Sequence, residues 1–354
     1  MTLKDFALDP LTILIRCDAS HRLGFGHVVR CLALADELRE SYGCSVSFAM
    51  REDTNGFKAV REKGYSVITP INTEAFDYKA WIKSAVNDTE AKALILDVRD
   101  DLPGEVLKEL KSEKNILLVT IDDSSDRRLN ADLAFHPPAC KVQQMNWSGF
   151  NGKLYTGWDW VLLRREFSKR PTKIKNERPM LLITMGGSDP QGMTLKAVSA
   201  LNLLEDDFDT VIVTGPGFQH RQKLNKLLSK VRRHFVVKEN VTAMAELMAR
   251  ADLTVASFGV TAYELAAMGV PALYLCLTDD HVRSADAFEK AGAARCLGMY
   301  NQVSVDTLHS SINNLYSDKA GQTSMKKNAG QLVDGLGAKR IAHKIFQRIG
   351  QNNG

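Results

Sequence analysis

Short apolar runs alternate with amphipathic stretches along the first half of the chain. The runs predict strands and the stretches predict helices, in the order Leu11–Arg16, Val28–Ser41, Cys44–Met50, Gly56–Lys63, Ala93–Asp97, Val106–Lys111 and Ile116–Asp122. Strands that read as continuous apolar runs are buried on both faces, because helices cover both sides of their sheet. The first half therefore predicts a parallel sheet between two layers of helices.

The same alternation restarts after a polar segment, Lys169–Pro179, which is framed by prolines and is typical of a linker. Beyond it, the predicted strands are Met180–Met185, Thr210–Thr214, Phe235–Lys238, Leu253–Ala256 and Ala272–Leu277, and the predicted helices are Val241–Ala249, Thr261–Met268 and Val282–Lys290. Two similar halves in tandem predict two domains. Ligands of such sheets bind beyond the carboxyl ends of the strands.

We therefore predict the α/β fold class, with two Rossmann-like domains that face a cleft. The chain has 354 residues, which is more than a single hydrophobic core usually supports. We assign residues 1–168 to an N-terminal domain, 169–179 to the linker, 180–335 to a C-terminal nucleotide-binding domain and 336–354 to a helical tail. The tail, near Ala338–Gln347, is expected to cross back to the first domain.

Composition argues against several classes of protein. The chain has 44% hydrophobic and 25% charged residues, as globular proteins do, and its net charge of +4 is too small to indicate an anionic partner. No dense block of Arg and Lys predicts nucleic-acid binding, and no apolar run is long enough for an integral membrane segment. The six cysteines form no Cys-x-x-Cys pair, which fits a reducing cytoplasm. We expect no metal and no cofactor.

The first chemical motif is the loop Gly24-Phe25-Gly26-His27, which follows a predicted strand and opens a predicted helix. The two glycines allow the backbone to approach a ligand closely, and His27 lies at a helix start, where a positive potential disfavours imidazolium. A neutral histidine there can accept a proton near neutral pH. The alternative is a structural glycine turn with a surface histidine. A dinucleotide fingerprint would need a third glycine, which the loop lacks.

Three aspartates, Asp18, Asp97 and Asp122, lie at the ends of predicted strands. A single aspartate in such a position more often caps the next helix than binds a ligand. Three of them at one edge of a parallel sheet favour a functional cleft.

Two further glycine turns follow strands of the second half. Gly186-Gly187-Ser188 can expose backbone N–H groups to a phosphate, although such a motif taken alone is more typical of an ordinary strand–helix turn. In Ser257-Phe258-Gly259-Val260-Thr261, Ser257 and Thr261 can cap the following helix and bind a diphosphate. Glu264 on that helix can accept both ribose hydroxyls, or it can be a surface residue that complements the helix dipole.

These motifs, in this order, resemble the pseudaminic-acid pathway family of UDP-sugar hydrolases, which includes spore-coat polysaccharide proteins. The resemblance covers roughly Ile13 to Gly292, and it also rests on Ile121-Asp122-Asp123, on Gly157–Phe167 and on Glu264-Leu265-Ala266. That family removes UDP from UDP-2,4-diacetamido-2,4,6-trideoxy-β-L-altropyranose. It is related in fold to the glycosyltransferase that adds GlcNAc to lipid I.

The resemblance implies a GT-B fold in which the second domain holds most of the UDP. It implies that His27 activates water against the anomeric carbon and releases UDP with inversion and without a metal, and that Glu264 holds the ribose. Asp18 and Arg99 are the further catalytic candidates. The other residues expected to contact the substrate are Gly24, Phe25, Gly26, Arg30, Asp97, Gly186, Gly187, Ser188, Val237, Ser257, Phe258, Gly259, Val260, Thr261, Asp280 and His281.

Two segments depart from the family pattern. The family usually has Asp-His-Tyr after its third strand, where this chain has Asp97-Val98-Arg99, and it usually has Asn-Gln where this chain has Asp280-His281. Arg99 could stabilise the leaving group or contact a sugar carboxylate. The favoured hypothesis is a hydrolase that acts on a UDP-sugar or another nucleotide-sugar. The alternatives are a glycosyltransferase that deprotonates an acceptor hydroxyl, and a sensor that binds the sugar nucleotide without turnover.

Overall fold

Each half of the chain folds around its own parallel β-sheet. The computed structural model describes residues 10–19, 25–51, 54–71, 76–171 and 176–352. Both sheets are covered by helices on their two faces, so the apolar strands lie at the centre of each half. The two-domain α/β architecture that the hydrophobic pattern predicts is confirmed.

The first sheet has seven strands in the order β3-β2-β1-β4-β5-β6-β7, all paired in parallel. Its strands are β1 (Thr12–Cys17), β2 (Ser45–Ala49), β3 (Ser66–Ile68), β4 (Ala93–Asp97), β5 (Leu117–Ile121), β6 (Leu133–His136) and β7 (Lys153–Thr156). The helices of this half are α1 (Gly26–Tyr42), α2 (Thr54–Glu62), α3 (Tyr78–Asp88), α4 (Gly104–Lys114) and α5 (Cys140–Gln144).

The second sheet has six strands in the order β10-β9-β8-β11-β12-β13, again all parallel. Its strands are β8 (Met180–Thr184), β9 (Asp209–Thr214), β10 (Phe235–Glu239), β11 (Leu253–Ser257), β12 (Ala272–Cys276) and β13 (Arg295–Met299). Its helices are α6 (Met193–Asn202), α7 (Arg221–Leu228), α8 (Met244–Arg250), α9 (Val260–Met268), α10 (Asp279–Lys290), α11 (Val305–Ser317) and α12 (Lys319–Leu332).

The last helix, α13 (Gly337–Asn352), returns to the first domain. Ile341, Ala342 and Ile345 are fully buried in the core of that domain, where α13 packs against α1. On the way between the domains, Leu162 packs into the first core whereas Phe167 packs into the second. The exact boundaries that we assign from the sequence stay predictions.

Truncation of a buried side chain on α13 tests how much this helix stabilises the first domain. We expect Ile345→Ala to lower the free energy of unfolding by roughly 2–5 kcal/mol, because it leaves a cavity in the core. Gln347→Ala, on the exposed face of the same helix, should change it by less than about 0.5 kcal/mol. Denaturant titration of the two variants measures the difference, and equal effects would contradict a stabilising role for α13.

Candidate active site

The motifs lie where the strand order of each sheet reverses direction. In the first sheet this point falls between β1 and β4, and in the second between β8 and β11. The loop with His27 follows β1 and Asp97 ends β4, while Gly186 follows β8 and Ser257 ends β11. Such crevices are the usual ligand sites of open parallel sheets.

The two domains meet directly at these loops. A Cβ atom on Gly26, in the first turn of α1, would lie 3.4 Å from Val260 Cγ2 in the first turn of α9. A Cβ atom on Gly187 would lie 3.2 Å from Phe25 Cβ, so this position leaves little room for a larger residue. The amino-terminal ends of α1 and α9 therefore face each other across the cleft. Gly24 lies outside the described residues.

A buried carboxylate, Asp97, organises the first-domain side of the cleft. Its oxygens accept hydrogen bonds from Arg30 Nε and Nη2, both at 2.5 Å, and from His27 Nδ1 at 2.7 Å. Burial by itself would raise the pKa of Asp97, but Arg30 and then His27 outweigh it and hold that pKa well below its usual range. Asp97 is therefore ionised throughout the working pH range.

The Asp97 contact sets the orientation and tautomer of His27. A carboxylate only accepts hydrogen bonds, so the 2.7 Å contact requires a proton on Nδ1, although Arg30 Nη2 also lies 3.2 Å from that nitrogen. The neutral ring then carries its lone pair on Nε2. The side chain is 16% exposed, so solvent or a ligand can reach it. This arrangement is the one that a general base requires.

Arg99 is linked to Arg30, the partner of Asp97, through the carboxylate of Asp122. Its guanidinium hydrogen-bonds the backbone oxygen of Asp122, and its Nη2 lies 2.6 Å from the Asp122 carboxylate. Arg30 Nη1 lies 3.6 Å from the same carboxylate. Burial would raise the pKa of Asp122, but Arg99 and Arg30 lower it. The catalytic role of Arg99 stays a prediction. In the structure, its side chain is bound to Asp122.

Asp18 belongs to a second charged network. Its carboxylate accepts hydrogen bonds from Arg16 Nη2 at 2.5 Å and from the backbone N–H of Arg51 at 2.8 Å. Arg16 is fully buried and also binds Asp100, at 2.8 Å. The catalytic role of Asp18 stays a prediction. Its contacts with Arg16 and Arg51 show a structural role, because they join these elements of the first domain. Each of the three aspartates, Asp18, Asp97 and Asp122, binds an arginine side chain. Their side chains therefore do not have the helix-capping role that the sequence analysis gave as the alternative.

In the second domain, the turn after β8 is held rigidly beside the end of β11. Gly187 accepts a hydrogen bond from Gly217 N at 2.9 Å, and the Asp189 carboxylate caps α6 through two backbone N–H groups. A Cβ atom on Gly186 would lie 3.7 Å from Ser257 Oγ. The two turns predicted to bind phosphate are therefore neighbours, and the Ser188 side chain is buried.

The start of α9 differs from the prediction in two respects. Ser257 and Thr261 do not cap the helix, because Gly259 is its N-cap, at φ +155°, and the described residues provide no side-chain cap hydrogen bond. Phe258 is among the residues expected to contact the substrate, but its N–H donates to Leu275 O at 3.0 Å and is therefore not available to a diphosphate. An uncapped helix start leaves its first amides open to an anion. These amides belong to Val260 and Thr261, which face the cleft.

Glu264 is buried on α9 and is already paired. Its Oε1 lies 3.2 Å from Arg164 Nη2, and Arg164 also holds Glu166 at 2.6 Å. Burial raises the pKa of Glu264, and Arg164 opposes that shift. Arg164 also lines a groove of about 1180 Å³ between the domains. Val237, the expected base contact, lies half-exposed on β10, and both roles stay predictions.

A cross-domain ion pair involves Asp280, one of the residues expected to contact the substrate. Lys141 Nζ, in α5, lies 2.8 Å from the Asp280 carboxylate at the start of α10. Burial lowers the pKa of His281, whose Nδ1 has no hydrogen-bond partner among the described residues. The His281 ring lies near Phe258, with ring centroids 5.9 Å apart. The structure therefore brings Asp280 and His281 to the cleft, and it adds Lys141, which the sequence analysis missed.

His136 and Tyr263 were also missed. His136 ends β6 and is 1% exposed, and neither ring nitrogen has a hydrogen-bond partner among the described residues. Its Nδ1 lies 3.9 Å from Asp122. Tyr263, on α9, is buried beside Trp158 and Phe258, and burial with the nearby Asp122 raises its pKa. The position of His136 at a strand end, like that of Asp97, is the signal that could have found it.

Comparison with known proteins places this geometry in a known fold. MurG of Acinetobacter baumannii superimposes with a TM-score of 0.69 over 96% of this chain and 100% of that one, at 16% identity. This chain has the GT-B fold. Residues 180–345 match the model of the glycosyltransferase family 28 C-terminal domain, and this match is confined to the second half of the GT-B chain. A UDP-GlcNAc 2-epimerase of Neisseria meningitidis, bound to UDP-GlcNAc, superimposes with a TM-score of 0.63 at 12% identity, over 95% and 100% of the chains.

The regions of this chain that match its sequence relatives extend beyond the second domain. The GT-B chain is 25% identical over 332 residues to the spore coat polysaccharide biosynthesis protein SpsG of Bacillus subtilis, covering 92% of this chain and 95% of that one. It is 22% identical over 238 residues to the UDP-2,4-diacetamido-2,4,6-trideoxy-β-L-altropyranose hydrolase of Campylobacter jejuni, covering 66% and 81%. The resemblance to the hydrolase family is therefore confirmed as distant homology. In the described part of the GT-B chain, no helix combines the length and apolarity needed to cross a bilayer.

The buried imidazole of His136 predicts a pH dependence of stability. Burial lowers its pKa from 6.5 to about 4, so the unfolded chain binds more protons between these values. The free energy of unfolding is therefore at its full value above pH 6.5, where His136 is neutral in both states, and it decreases as the pH falls towards about 4. The loss should reach up to about 3 kcal/mol.

Denaturant titrations from pH 7 to pH 4 measure this effect. In His136→Gln the decline in the free energy of unfolding should be shallower than in the wild type. The control His343→Gln alters an exposed histidine on α13 and should leave the decline unchanged. Identical slopes for wild type and His136→Gln would show that His136 is not held neutral by burial.

Proposed function

We propose that this protein is a nucleotide-sugar hydrolase of surface polysaccharide or nonulosonic acid biosynthesis, which releases UDP from a UDP-diacetamido-trideoxy hexose or a related sugar without a metal. One observation carries the proposal, namely the His27–Asp97 contact of 2.7 Å at the start of α1. The names of the two relatives, a spore coat polysaccharide biosynthesis protein and a UDP-sugar hydrolase, support the substrate class.

The diphosphate would bind in the second domain. The open amides at the start of α9 and the adjoining turn of Gly186, Gly187 and Ser188 offer N–H groups and the positive end of a helix dipole. The leaving group gains negative charge as the glycosidic bond breaks. Donors that are fixed before the reaction stabilise that charge without reorganisation.

His27 would act from the opposite side of the cleft. Its unprotonated Nε2 takes a proton from a water molecule as the water oxygen attacks the anomeric carbon. The bond from that carbon to the diphosphate breaks, UDP leaves with the electron pair, and the configuration inverts. Asp97 stabilises the imidazolium that forms, and Arg30 keeps Asp97 ionised in its buried position.

The nucleoside would lie near the Arg164–Glu264 pair. Glu264 is held at the end of the cleft by Arg164, so its remaining oxygen lone pairs are oriented before the ribose arrives. Val237 and the neighbouring part of β10 would contact the base. Asp280 and His281 would face the sugar from the second domain.

A glycosyltransferase is the second candidate, and the match of residues 180–345 to the glycosyltransferase family 28 C-terminal domain is the observation that favours it. In that reaction an acceptor hydroxyl would take the place of water as the group that His27 deprotonates. Assays with and without an acceptor distinguish the two activities, because only a hydrolase yields free sugar without one.

Substitution of His27 tests its assignment as the base. With UDP-diacetamido-trideoxy hexose as substrate, His27→Ala should lower kcat for UDP release by roughly 10²–10⁴-fold, the usual contribution of general-base catalysis. The affinity for UDP should hardly change, because His27 lies on the first domain. Asp97→Asn should lower kcat as well, since Asn cannot stabilise an imidazolium. UDP release from His27→Ala at the wild-type rate would exclude His27 as the base.

A matched control and a substrate panel complete this experiment. His343→Ala removes an exposed histidine of α13 and should leave kcat unchanged. UDP-, CMP- and GDP-sugars in the same assay identify the nucleotide. Retained UDP binding by Asp97→Asn would show that its loss of rate is not a loss of fold.

Substitution of Glu264 tests the ribose site. We expect Glu264→Gln to weaken UDP binding by roughly 10- to 100-fold, since a hydrogen bond to a charged group contributes about 1.5–3 kcal/mol. Glu205→Gln, at an exposed position before β9, should have no effect. Calorimetric titration with UDP measures both variants. An unchanged affinity of Glu264→Gln would place the ribose elsewhere.

A further inference from the structure

Two thiols lie side by side at the edge of the second sheet. Cys276 ends β12 and Cys296 is the second residue of the neighbouring strand β13, and their Sγ atoms are 3.5 Å apart. Tyr274 pairs with Cys296, and the register shifts between Tyr274 and Cys276. Since Cys276 follows Tyr274 by two positions, its side chain points to the same face of the sheet. Cys296 is partly exposed, whereas Cys276 is fully buried.

The contact also makes Cys296 reactive. A hydrogen bond from the Cys276 thiol stabilises the Cys296 thiolate and lowers the pKa of Cys296 to about 7, although burial opposes the shift. The backbone N–H of Gly298 lowers it further, and Glu289 raises it. A lowered pKa favours the thiolate, which is the nucleophilic form of cysteine.

A second pair of thiols in the chain provides a contrast. Cys17 and Cys31 are also neighbours, but both are fully buried in the first core. Burial raises the pKa of Cys31 well above its usual value, and its thiol is engaged with Asp97. A buried protonated thiol reacts poorly with oxidants, so this pair is a built-in comparison.

We propose that Cys276 and Cys296 are a site of oxidative modification, at which a peroxide converts the two thiols into a reversible disulfide. The Cys296 thiolate attacks the peroxide oxygen, which leaves a sulfenic acid on Cys296 and releases one water molecule after protonation. The Cys276 sulfur then attacks the sulfenic sulfur, forms the S–S bond and releases a second water. Two thiols are oxidised and one peroxide is reduced. A dithiol reductant reverses the reaction.

The disulfide would act on the sugar end of the cleft. The sulfur atoms must approach by about 1.5 Å from their 3.5 Å separation to reach bonding distance. Cys276 leads directly to Thr278, which caps α10 by accepting the His281 N–H, and so to Asp280 with its ion pair to Lys141. Oxidation would displace these groups and lower turnover, whereas the phosphate-facing turns follow other strands and would keep UDP affinity. The effect on turnover rests on the proposed function, but the disulfide does not.

Peptide mapping tests the disulfide on the full chain. The protein is treated with hydrogen peroxide, alkylated and digested with trypsin without reductant. Trypsin separates the two thiols into peptides 251–283 and 296–319, each with a single cysteine. We expect a cross-linked species of these two peptides, lighter than their sum by two hydrogens and lost on treatment with dithiothreitol. No cross-link between peptides 17–22 and 31–39, which carry Cys17 and Cys31, is expected.

Cys276→Ser and Cys296→Ser serve as controls, and neither should give the cross-link. Absence of the cross-link in the wild type, or oxidation of Cys296 to sulfinic acid with Cys276 still free, would overturn the proposal. For the functional part, peroxide should lower wild-type kcat reversibly and leave that of Cys296→Ser unchanged. Equal kcat for the oxidised and reduced wild type would contradict the effect on the sugar end. No turnover by the reduced protein would refute the proposed function and leave the mapped disulfide standing.

Discussion

The ion pair between Arg30 and Asp97 is the interaction on which the site depends. A fully buried carboxylate is costly unless it is paired, and Arg30 pairs with it through two hydrogen bonds of 2.5 Å. His27 and Arg30 are three residues apart on α1 and so lie on one face of the helix. The pairing of β1 with β4 places Asp97 beneath that face. One carboxylate thus fixes the helix that carries His27 and the orientation of its ring.

The second domain completes the site because its loops meet the first domain at close range. Gly26 faces Val260 and Gly187 faces Phe25, so the donors of α9 lie opposite His27. Arg165 lies on the segment that passes from Leu162 in the first core to Phe167 in the second, and its Nη2 lies 2.8 Å from Glu37 on α1. The return of α13 onto α1 ties the end of the chain to the first domain. The position of His27 relative to the start of α9 is therefore set by packing and by charged contacts on several elements.

Much of this architecture could be predicted from the sequence, because buried parallel strands read as continuous apolar runs. Four of the described strands were missed. The edge strands β3, β7 and β13 are partly exposed, so their hydrophobic pattern is weak, and β6 is buried but only four residues long. The roles of His27 and Asp97 had local signals, whereas their contact spans 70 positions and follows from strand order alone. The predictions for the start of α9 were wrong because backbone groups take the positions that we assigned to side chains and ligand. Nothing in the local sequence shows that the Phe258 N–H is used by β12.

In the proposed mechanism, Asp97 orients His27 so that Nε2 is free to accept a proton. Nitrogen NMR of protein with ¹⁵N-labelled histidine, assigned by comparison with His27→Gln, measures the tautomer directly. We expect the neutral ring of His27 to carry its proton on Nδ1, with an unprotonated Nε2, and we expect Asp97→Asn to remove this preference. A neutral His27 that carries its proton on Nε2 in the wild type would exclude this mechanism, because that nitrogen could not act as the base.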